Sequence, residues 1–331
     1  MSTLGSMRLC VSRAWLVTPF IAMLGAHAAD AQTDYRNLDA GRPLRVEDAL
    51  VTPRMSLDVQ LPNVRAEQYG NGVTRWRVDA KAAYGIASFS EVELRVPLIY
   101  VVPSGGASGS ARTFGSAGVA IGATHAFGVE TPNVPAIAIA AEVLLPAGAL
   151  ASPNATYSLK VIATKTVSFA RVHLNAGGGS WSVRGAGLSD TTCVPRRFPL
   201  PGQDPGCGAP AIPDVPCSVA HEGPSVACFA PPASLAAAGA INPLASKGGR
   251  WFGAAGMDHS FGLSSTLVGV DVVAERFVGL YSLTDWTAEI GSRHQWSPRL
   301  VVDAGISRHL IGVLQSSGVT VGGAYAFSFA R

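Results

Sequence analysis

The 331-residue sequence lacks long apolar runs beyond its N-terminal region. A membrane-spanning helix requires about 18 or more consecutive apolar residues. The nearest candidate, Ala136 to Leu145, is too short and contains Glu142. Charged residues are also scarce, at 14%, although 48% of the residues are hydrophobic. An apolar chain without apolar helices is typical of a membrane β-barrel, in which only every second strand residue faces lipid.

Several motifs of other protein classes are missing as well. The formal net charge is only +3 and there is no basic run, so nucleic-acid binding has no support. There is no C-x-x-C pair, and His221 alone would not complete a zinc site. The G-x-S-x-G elbow of α/β-hydrolases is absent too. We therefore predict neither a metal site nor a cofactor.

The N-terminal region has the pattern of a secretory signal peptide. Arg8 and Arg13 precede an apolar core from Ala14 to Leu24, and small residues follow that core directly. A retained anchor helix is the alternative, but the core is short for a membrane span. We expect removal of residues 1–31 on export and a periplasmic N-terminal segment over residues 32–54.

Polar and apolar residues alternate with period two in long segments of the remaining chain. From Thr74 to Tyr84, charged residues share one face and apolar residues share the other. A soluble sandwich also alternates, but its strands have about five or six residues, whereas a tilted membrane strand needs roughly nine to eleven. About twelve segments reach that length, an even number, as bacterial barrels require. The fold class predicted is all-β, a single transmembrane antiparallel barrel of about 12 strands over residues 55–331.

The connections between these segments alternate in length. If the N-terminus is periplasmic, short turns such as Gly85 to Ala87 and Ser297-Pro298 face the periplasm, and longer connections face outward. Tyr69 to Gly72 is an exception, because it is a tight turn at an outward position. The alternation of short and long connections therefore predicts which connections reach the cell surface.

One outward connection, residues 184–248, differs sharply in composition from its surroundings. It is rich in Pro, Ala and Gly without a sustained period, and is expected to be an extracellular insertion. All four cysteines of the exported chain lie in it, and their even number predicts two disulfides with three possible pairings. A zinc site is the alternative to disulfides. The four cysteines are Cys193, Cys207, Cys217 and Cys228.

Aromatic residues concentrate at or near the ends of the predicted strands. This placement predicts the aromatic girdles found at both interfaces of membrane barrels, although aromatic residues favour strands in general. The aromatic residues in question are Trp76, Tyr84, Phe89, Tyr100, Phe127, Tyr157, Trp251, Trp286, Trp296, Tyr325, Phe327 and Phe329.

Several short motifs together resemble a known family. They are Gly41-Arg42-Pro43-Leu44 with Glu47-Asp48-Ala49, Leu94-Arg95-Val96-Pro97-Leu98, Leu144-Leu145-Pro146-Ala147-Gly148, Val172-His173-Leu174-Asn175-Ala176, Glu289-Ile290-Gly291 and Val302-Asp303-Ala304-Gly305-Ile306. The chain from about residue 40, except for the Cys-rich insertion, resembles the outer-membrane β-barrel family named for the meta-pathway of phenol degradation. Its members are usually called transporters. The resemblance implies a Gram-negative outer-membrane channel for small, often aromatic compounds, and it supplies no catalytic residues.

The polar faces of the strands are expected to line the lumen. Charges of both signs alternate there, which predicts a narrow pore that selects small polar or amphipathic solutes by size and field. The alternative is an ion-pair network that only fills the interior. The pore-lining candidates are Arg75, Arg77, Asp79, Lys81, Glu91, Glu93, Arg95, Glu142, Lys160, Arg171, His173, Asn175, Asp285, Glu289, Arg293 and Asp303.

The function predicted is therefore an outer-membrane channel or transporter, with outer-membrane lipids and a small solute as partners. A non-conducting barrel that binds a partner through its disulfide-tied loop is the alternative. A lipid-modifying enzyme is less well supported, because His259 and Ser260 are adjacent and so point to opposite faces of a strand. We expect no enzymatic activity, and the oligomeric state is left open.

Overall fold

The computed structural model describes residues 35–38, 42–70, 72–102, 113–182, 247–279, 283–312 and 315–328. These residues form thirteen β-strands and one short 3-10 turn, Gly262–Ser264. Within the described part of the chain, no helix is long and apolar enough to cross a membrane. The predicted signal peptide and the four cysteines lie outside the described residues.

The strands follow one another along the chain with few interruptions. In order they are β1 (Ser56–Tyr69), β2 (Thr74–Ala87), β3 (Ser90–Val102), β4 (Thr113–Ser116), β5 (Val119–Ala126), β6 (Ala136–Leu145), β7 (Thr156–Val167), β8 (Ala170–Ser182), β9 (Lys247–Phe261), β10 (Thr266–Phe277), β11 (Asp285–Ser297), β12 (Leu300–Ile311) and β13 (Ser316–Ser328).

All strand pairs are antiparallel, and β1 pairs with both β2 and β13, which closes the sheet. Strands β4 and β5 both pair with β3 and are separated by Ala117 and Gly118. Gly118 has φ of +143°, a conformation that favours glycine, so the chain bends there. Because β4 and β5 are two parts of one wall strand, the thirteen strands form a twelve-stranded barrel. The predicted fold class is confirmed.

The two ends of the barrel differ in their connections. Two-residue turns at Ser88-Phe89, Ser168-Phe169 and Pro298-Arg299 lie at the same end as the start of β1 and the end of β13. We call this the short-turn end and the opposite one the long-loop end. Tyr69 and Val73 flank a tight connection at the long-loop end, which is the exception that the sequence already indicated. By the usual topology of such barrels, we expect the short-turn end to face the periplasm.

Side chains alternate between the two faces of the wall. On β10, Val268 and Val270 are exposed, whereas Asp271 and Val273 are buried. Exposed aromatic residues cluster near both ends, as in the interfacial girdles of membrane barrels. Those near the long-loop end are Trp76, Phe114, Tyr157, Trp251 and Trp286, and those near the short-turn end are Phe89, Phe127, Phe169, Phe261 and Trp296. The apolar faces of the strands are therefore outermost and the polar faces line the interior.

Candidate functional site

Residues 35–38 and 42–54, which precede β1, lie inside the barrel, and we call them the plug. Leu38, Arg42, Leu44 and Val46 are at most 1% exposed. Leu38, Leu44 and Val46 belong to one buried apolar cluster with residues of the barrel wall, among them Leu267. The prediction of a periplasmic segment over residues 32–54 did not include this position in the lumen.

Side chains of the wall satisfy the backbone of the plug. The acceptors lie on β10, β8, β7 and β3, so the plug follows the inner wall around much of its circumference. Because buried backbone N–H groups require partners, these contacts define the path of the plug. The N–H groups and their acceptors are Val46 to Asp271 (2.8 Å), Glu47 to Asn175 (2.7 Å), Ala49 to Thr164 (3.0 Å) and Thr52 to Glu91 (2.7 Å).

A row of glycines makes room for the plug. Gly269, Gly291 and Gly305 pair directly with one another across β10, β11 and β12. A Cβ on Gly291 would lie 2.5 Å from the ring of Pro43, and one on Gly269 would lie 2.8 Å from Leu44. The three residues form a groove in the inner wall, which we call the glycine groove. Any side chain at these positions would occupy the space that the plug fills.

Ion pairs anchor the plug within the lumen. The Nε atom of Arg45 lies 3.2 Å from Glu289 on β11, and its Nη2 atom lies 3.8 Å from Glu67 on β1. Burial alone would lower the pKa of Arg45, but the surrounding carboxylates, Glu289 and Glu67 foremost, outweigh it and raise that pKa above its usual range. Arg42 donates a hydrogen bond to the carbonyl of Gly323 (2.5 Å). Arg45 thus links two wall strands across the interior.

Asp48 is the centre of a second set of contacts. Its carboxylate accepts a hydrogen bond from the N–H of Leu38 (3.0 Å) and one from Arg171 on β8 (3.4 Å). Burial raises the pKa of Asp48 to about 6, although Arg171 and the Leu38 N–H act in the opposite direction. This carboxylate therefore changes charge in a mildly acidic range.

Thr164, His173 and Asp258 form a row of hydroxyl, imidazole and carboxylate. Thr164 Oγ1 lies 3.1 Å from His173 Nδ1, and His173 Nε2 lies 2.7 Å from Asp258. The order matches that of a hydrolase triad. However, the hydroxyl also accepts the N–H of Ala49, and Arg171 holds Asp258 through two further hydrogen bonds. The row is thus part of the contact between wall and plug.

An open chamber remains between the plug and the strands β2, β3, β5, β6, β7 and β9. Its empty space is about 870 Å³ only when the open solvent at its mouth is counted, so the enclosed part is much smaller. Arg95 and Glu142 form a two-pronged ion pair in its wall, with the shortest N–O distance at 2.6 Å, and Lys160 pairs with Glu47 of the plug. Phe252 contributes an apolar surface beside these charges. The chamber can therefore contact both charged and aromatic groups.

All the lumen residues predicted from the sequence lie on the inward faces of their strands. Several pair with one another, and others contact the plug. The internal pairs are Arg77 with Asp79, Lys81 with Glu93, Arg95 with Glu142, and Arg75 with the unpredicted Glu67. The residues that contact the plug are Glu91, Lys160, Arg171, Asn175, Glu289 and Asp303. The remaining ones, His173, Asp285 and Arg293, are buried on the inner face.

Sequence reasoning missed other charged residues of the lumen. Asp258, Asp271 and Glu275 are buried on the inward faces of β9 and β10. The alternation along β10 could have identified two of them, because Asp271 and Glu275 lie an even number of residues from Leu267, which is buried on the same face. Whether a solute passes any of these side chains stays a prediction.

The residues considered for an enzyme do not come together. His259 faces outward, where its Nδ1 atom lies 2.5 Å from the carbonyl of Phe169 and its ring contacts Phe261. Ser260 follows it in the strand and therefore faces the lumen. Within the described ranges there is also no cluster of three metal-ligating side chains.

No family model and no curated protein matches this chain, so the resemblance to the phenol meta-pathway family stays a prediction. Solved structures do match. The COG4313 outer membrane channel from Pseudomonas putida F1 is 10% identical with a TM-score of 0.56, covering 88% of this chain and 100% of that chain. The translocator domain of the autotransporter NalP from Neisseria meningitidis is 10% identical with a TM-score of 0.44, covering 83% and 89%. The first likeness, with the closed barrel, gives the fold: an outer-membrane β-barrel, located in the cell outer membrane.

Proposed function

We propose that this protein is an outer-membrane channel for small solutes, closed while its plug is docked in the lumen. The observation that carries the proposal is the nature of the contacts between plug and wall. Val46, Glu47 and Ala49 donate their N–H groups to wall side chains and not to a neighbouring strand backbone. When the plug moves, water can replace it at these polar side chains, because the wall strands keep their own backbone pairing.

The lumen wall supports passage of small solutes. A barrel of twelve strands is wider than the eight-stranded barrels that side chains fill, and narrower than the porins of sixteen to eighteen strands. Charges of both signs, such as Lys81 with Glu93 and Arg95 with Glu142, give little net preference for anions or cations. Selection by size is therefore expected to dominate. The similar protein from Pseudomonas putida F1 is named a channel, which favours the same class of activity.

We extend the proposal to small aromatic compounds. The family resemblance in the sequence suggests this class, and the chamber combines Phe252 and Ile162 with hydrogen-bonding groups such as Lys160. A phenol-like solute needs both an apolar contact and a polar partner. The chamber offers the two within one space beside the plug.

Single-channel recording in planar bilayers tests the proposal. We expect small or rare conductance steps from the full chain, and larger, steady steps from a variant that lacks residues 35–50. A Gly291→Val variant provides a second way to displace the plug without shortening the chain. If all three proteins fold and none conducts, the channel is refuted, and the interaction role predicted for the Cys-rich loop becomes the better explanation.

Uptake into liposomes then separates solute classes. We expect the plug-deleted variant to admit small phenols and small sugars but to exclude larger oligosaccharides. Equal uptake by intact and plug-deleted protein would contradict closure by the plug. Exclusion of phenols by a variant that passes ions would contradict the aromatic extension alone.

A further inference from the structure

Charged residues on the outward face of the barrel are few and unevenly distributed. On the described strands, the charged side chains at outward positions are Lys165, Lys247, Arg276 and Arg308, and no carboxylate shares that face. Lys165 lies near the short-turn end and pairs with Glu130 of the adjoining loop (3.2 Å). The other three lie toward the long-loop end. On the described strands, three of the four outward cations therefore lie toward the long-loop end, and the fourth is paired with a carboxylate.

These three cations lie on one side of the barrel, on β9, β10 and β12. Arg276 is directly opposite Trp251, a member of the aromatic girdle at the long-loop end. Arg308 is opposite Ala288 on β11, one outward position below Trp286 of the same girdle, and donates a hydrogen bond to Ser317. The arginines therefore lie at and just inside the membrane interface.

An arginine on the lipid face is unfavourable at the bilayer midplane, and its penalty falls toward the interface. Arg308 is one step inside the girdle, where an anionic partner would offset that penalty. The outer leaflet of a Gram-negative outer membrane contains phosphorylated glycolipid, whose phosphates lie at the interface that the aromatic girdle marks. A long arginine side chain just inside that interface can extend to them. A planar guanidinium with several donors matches phosphate geometry better than a lysine does.

The spacing of the two arginines also fits one glycolipid headgroup. Arg276 and Arg308 are separated by two strand spacings, roughly 10 Å, and by four residues along the strands, roughly 13 Å. Long side chains that approach from two corners of such an area can both contact a phosphorylated sugar between them. Trp286 lies within the same area and offers an apolar ring face to the lipid.

We propose that the outward surface formed by Arg276, Arg308, Trp251 and Trp286, with Lys247 above it, binds the phosphates of a glycolipid of the lipopolysaccharide class. The proposal depends on the outer-membrane location and on the long-loop end facing outside. It does not depend on conduction through the lumen. A bound glycolipid would fix the position of this side of the barrel in the outer leaflet.

Native mass spectrometry of the detergent-purified full chain tests the proposal with three lipids. These are lipid A with two phosphates, the same lipid A after removal of its phosphates, and phosphatidylglycerol. We expect the wild-type protein to retain bisphosphorylated lipid A roughly tenfold or more better than the other two. Equal retention of phosphatidylglycerol would indicate general attraction of anionic lipids and would overturn the glycolipid site.

Variants locate the site on the barrel. The double variant Arg276→Gln/Arg308→Gln should lose most of the lipid A retained by the wild type, whereas Lys165→Gln, an outward cation at the other end, should retain it. Wild-type retention by the double variant would overturn the assignment. If the double variant does not fold, the phosphate dependence of the wild-type protein still decides the outcome.

Discussion

Pro43 of the plug lies directly against Gly291 of β11, so close that a methyl group on the glycine would come within 2.5 Å of the proline ring. Gly291 is the middle member of the glycine groove, between Gly269 and Gly305. The groove is therefore complementary in shape to one short part of the plug. A Cβ at each of these three positions would come within 3.0 Å of Pro43 or Leu44 of the plug.

A Gly291→Val substitution should displace the plug, because the new side chain would overlap Pro43. Overpacking of this kind typically costs about 1–3 kcal/mol, and here the plug can move while the strands stay paired. We expect larger conductance steps and faster hydrogen exchange of the plug amides. Gly253→Val is the matched control, because a Cβ at that outward position meets its nearest heavy atom at 3.9 Å. Unchanged exchange and conductance in Gly291→Val would contradict a role for the groove.

Arg45→Gln should loosen the plug without unfolding the barrel. Loss of the guanidinium removes the contacts of the plug with Glu289 and Glu67. Each carboxylate still has an arginine of the barrel wall as an ion-pair partner. Arg65 lies 3.0 Å from Glu289, and Arg75 pairs with Glu67. The expected loss of plug stability is about 1–3 kcal/mol.

Hydrogen exchange of the plug amides measures that loss, and the thermal unfolding of the barrel should change little. Arg54→Gln provides a control, because Arg54 is exposed in the same segment. A barrel that unfolds at much lower temperature in Arg45→Gln would mean that Arg45 stabilises the wall itself. Equal effects of the two substitutions would remove any special role for Arg45.

The charge of Asp48 makes docking of the plug depend on pH. Burial raises its pKa from 3.8 to about 6 in the docked plug, whereas a plug released into water regains the ordinary value. The docked state therefore binds the proton more tightly, and docking weakens as pH rises from about 4 through 6. The total change is roughly 3 kcal/mol. The pKa of Glu47 is also raised, chiefly by burial. Its ionisation therefore weakens docking of the plug in the same way.

Hydrogen exchange of the plug amides, or conductance in planar bilayers, measured between pH 4 and 7 checks this dependence. We expect greater opening at the higher pH and a weaker dependence in Asp48→Asn, whose side chain keeps the shape but not the charge. The groups that face Asp48 are Arg171 and His173 of β8, and Asp258 lies beside both. Opening that increases on acidification would contradict the assignment to Asp48.

The wall could be predicted from the sequence because strand alternation is local. Arg75, Arg77, Asp79 and Lys81 alternate with apolar residues of β2, and those charges face the lumen in the structure. The plug could not be predicted in the same way. Its residues show no period, and their partners, such as Asp271 for Val46 and Asn175 for Glu47, are far away in the sequence.

The glycine groove shows the same limit. Gly291 and Gly305 lie in two of the motifs that carry the family resemblance, and both have inward parity. Their meaning depends on the register, which brings Gly269, Gly291 and Gly305 side by side. A sequence specifies register through the whole hydrophobic pattern of a strand, so three separate glycines do not indicate a groove until the strands are aligned.

The row of Thr164, His173 and Asp258 leads to a last prediction. Thr164→Val keeps the volume of the side chain but removes the acceptor of the Ala49 N–H, and a buried donor without a partner costs about 1–3 kcal/mol. We expect faster exchange at Ala49 and its neighbours. Thr166→Val is the control, because Thr166 binds Glu130 of a connecting loop and not the plug. Hydrolysis of an acyl ester by the wild-type protein, abolished in Thr164→Val, would instead identify the row as catalytic, since a hydroxyl that only holds the plug would leave such an activity unchanged.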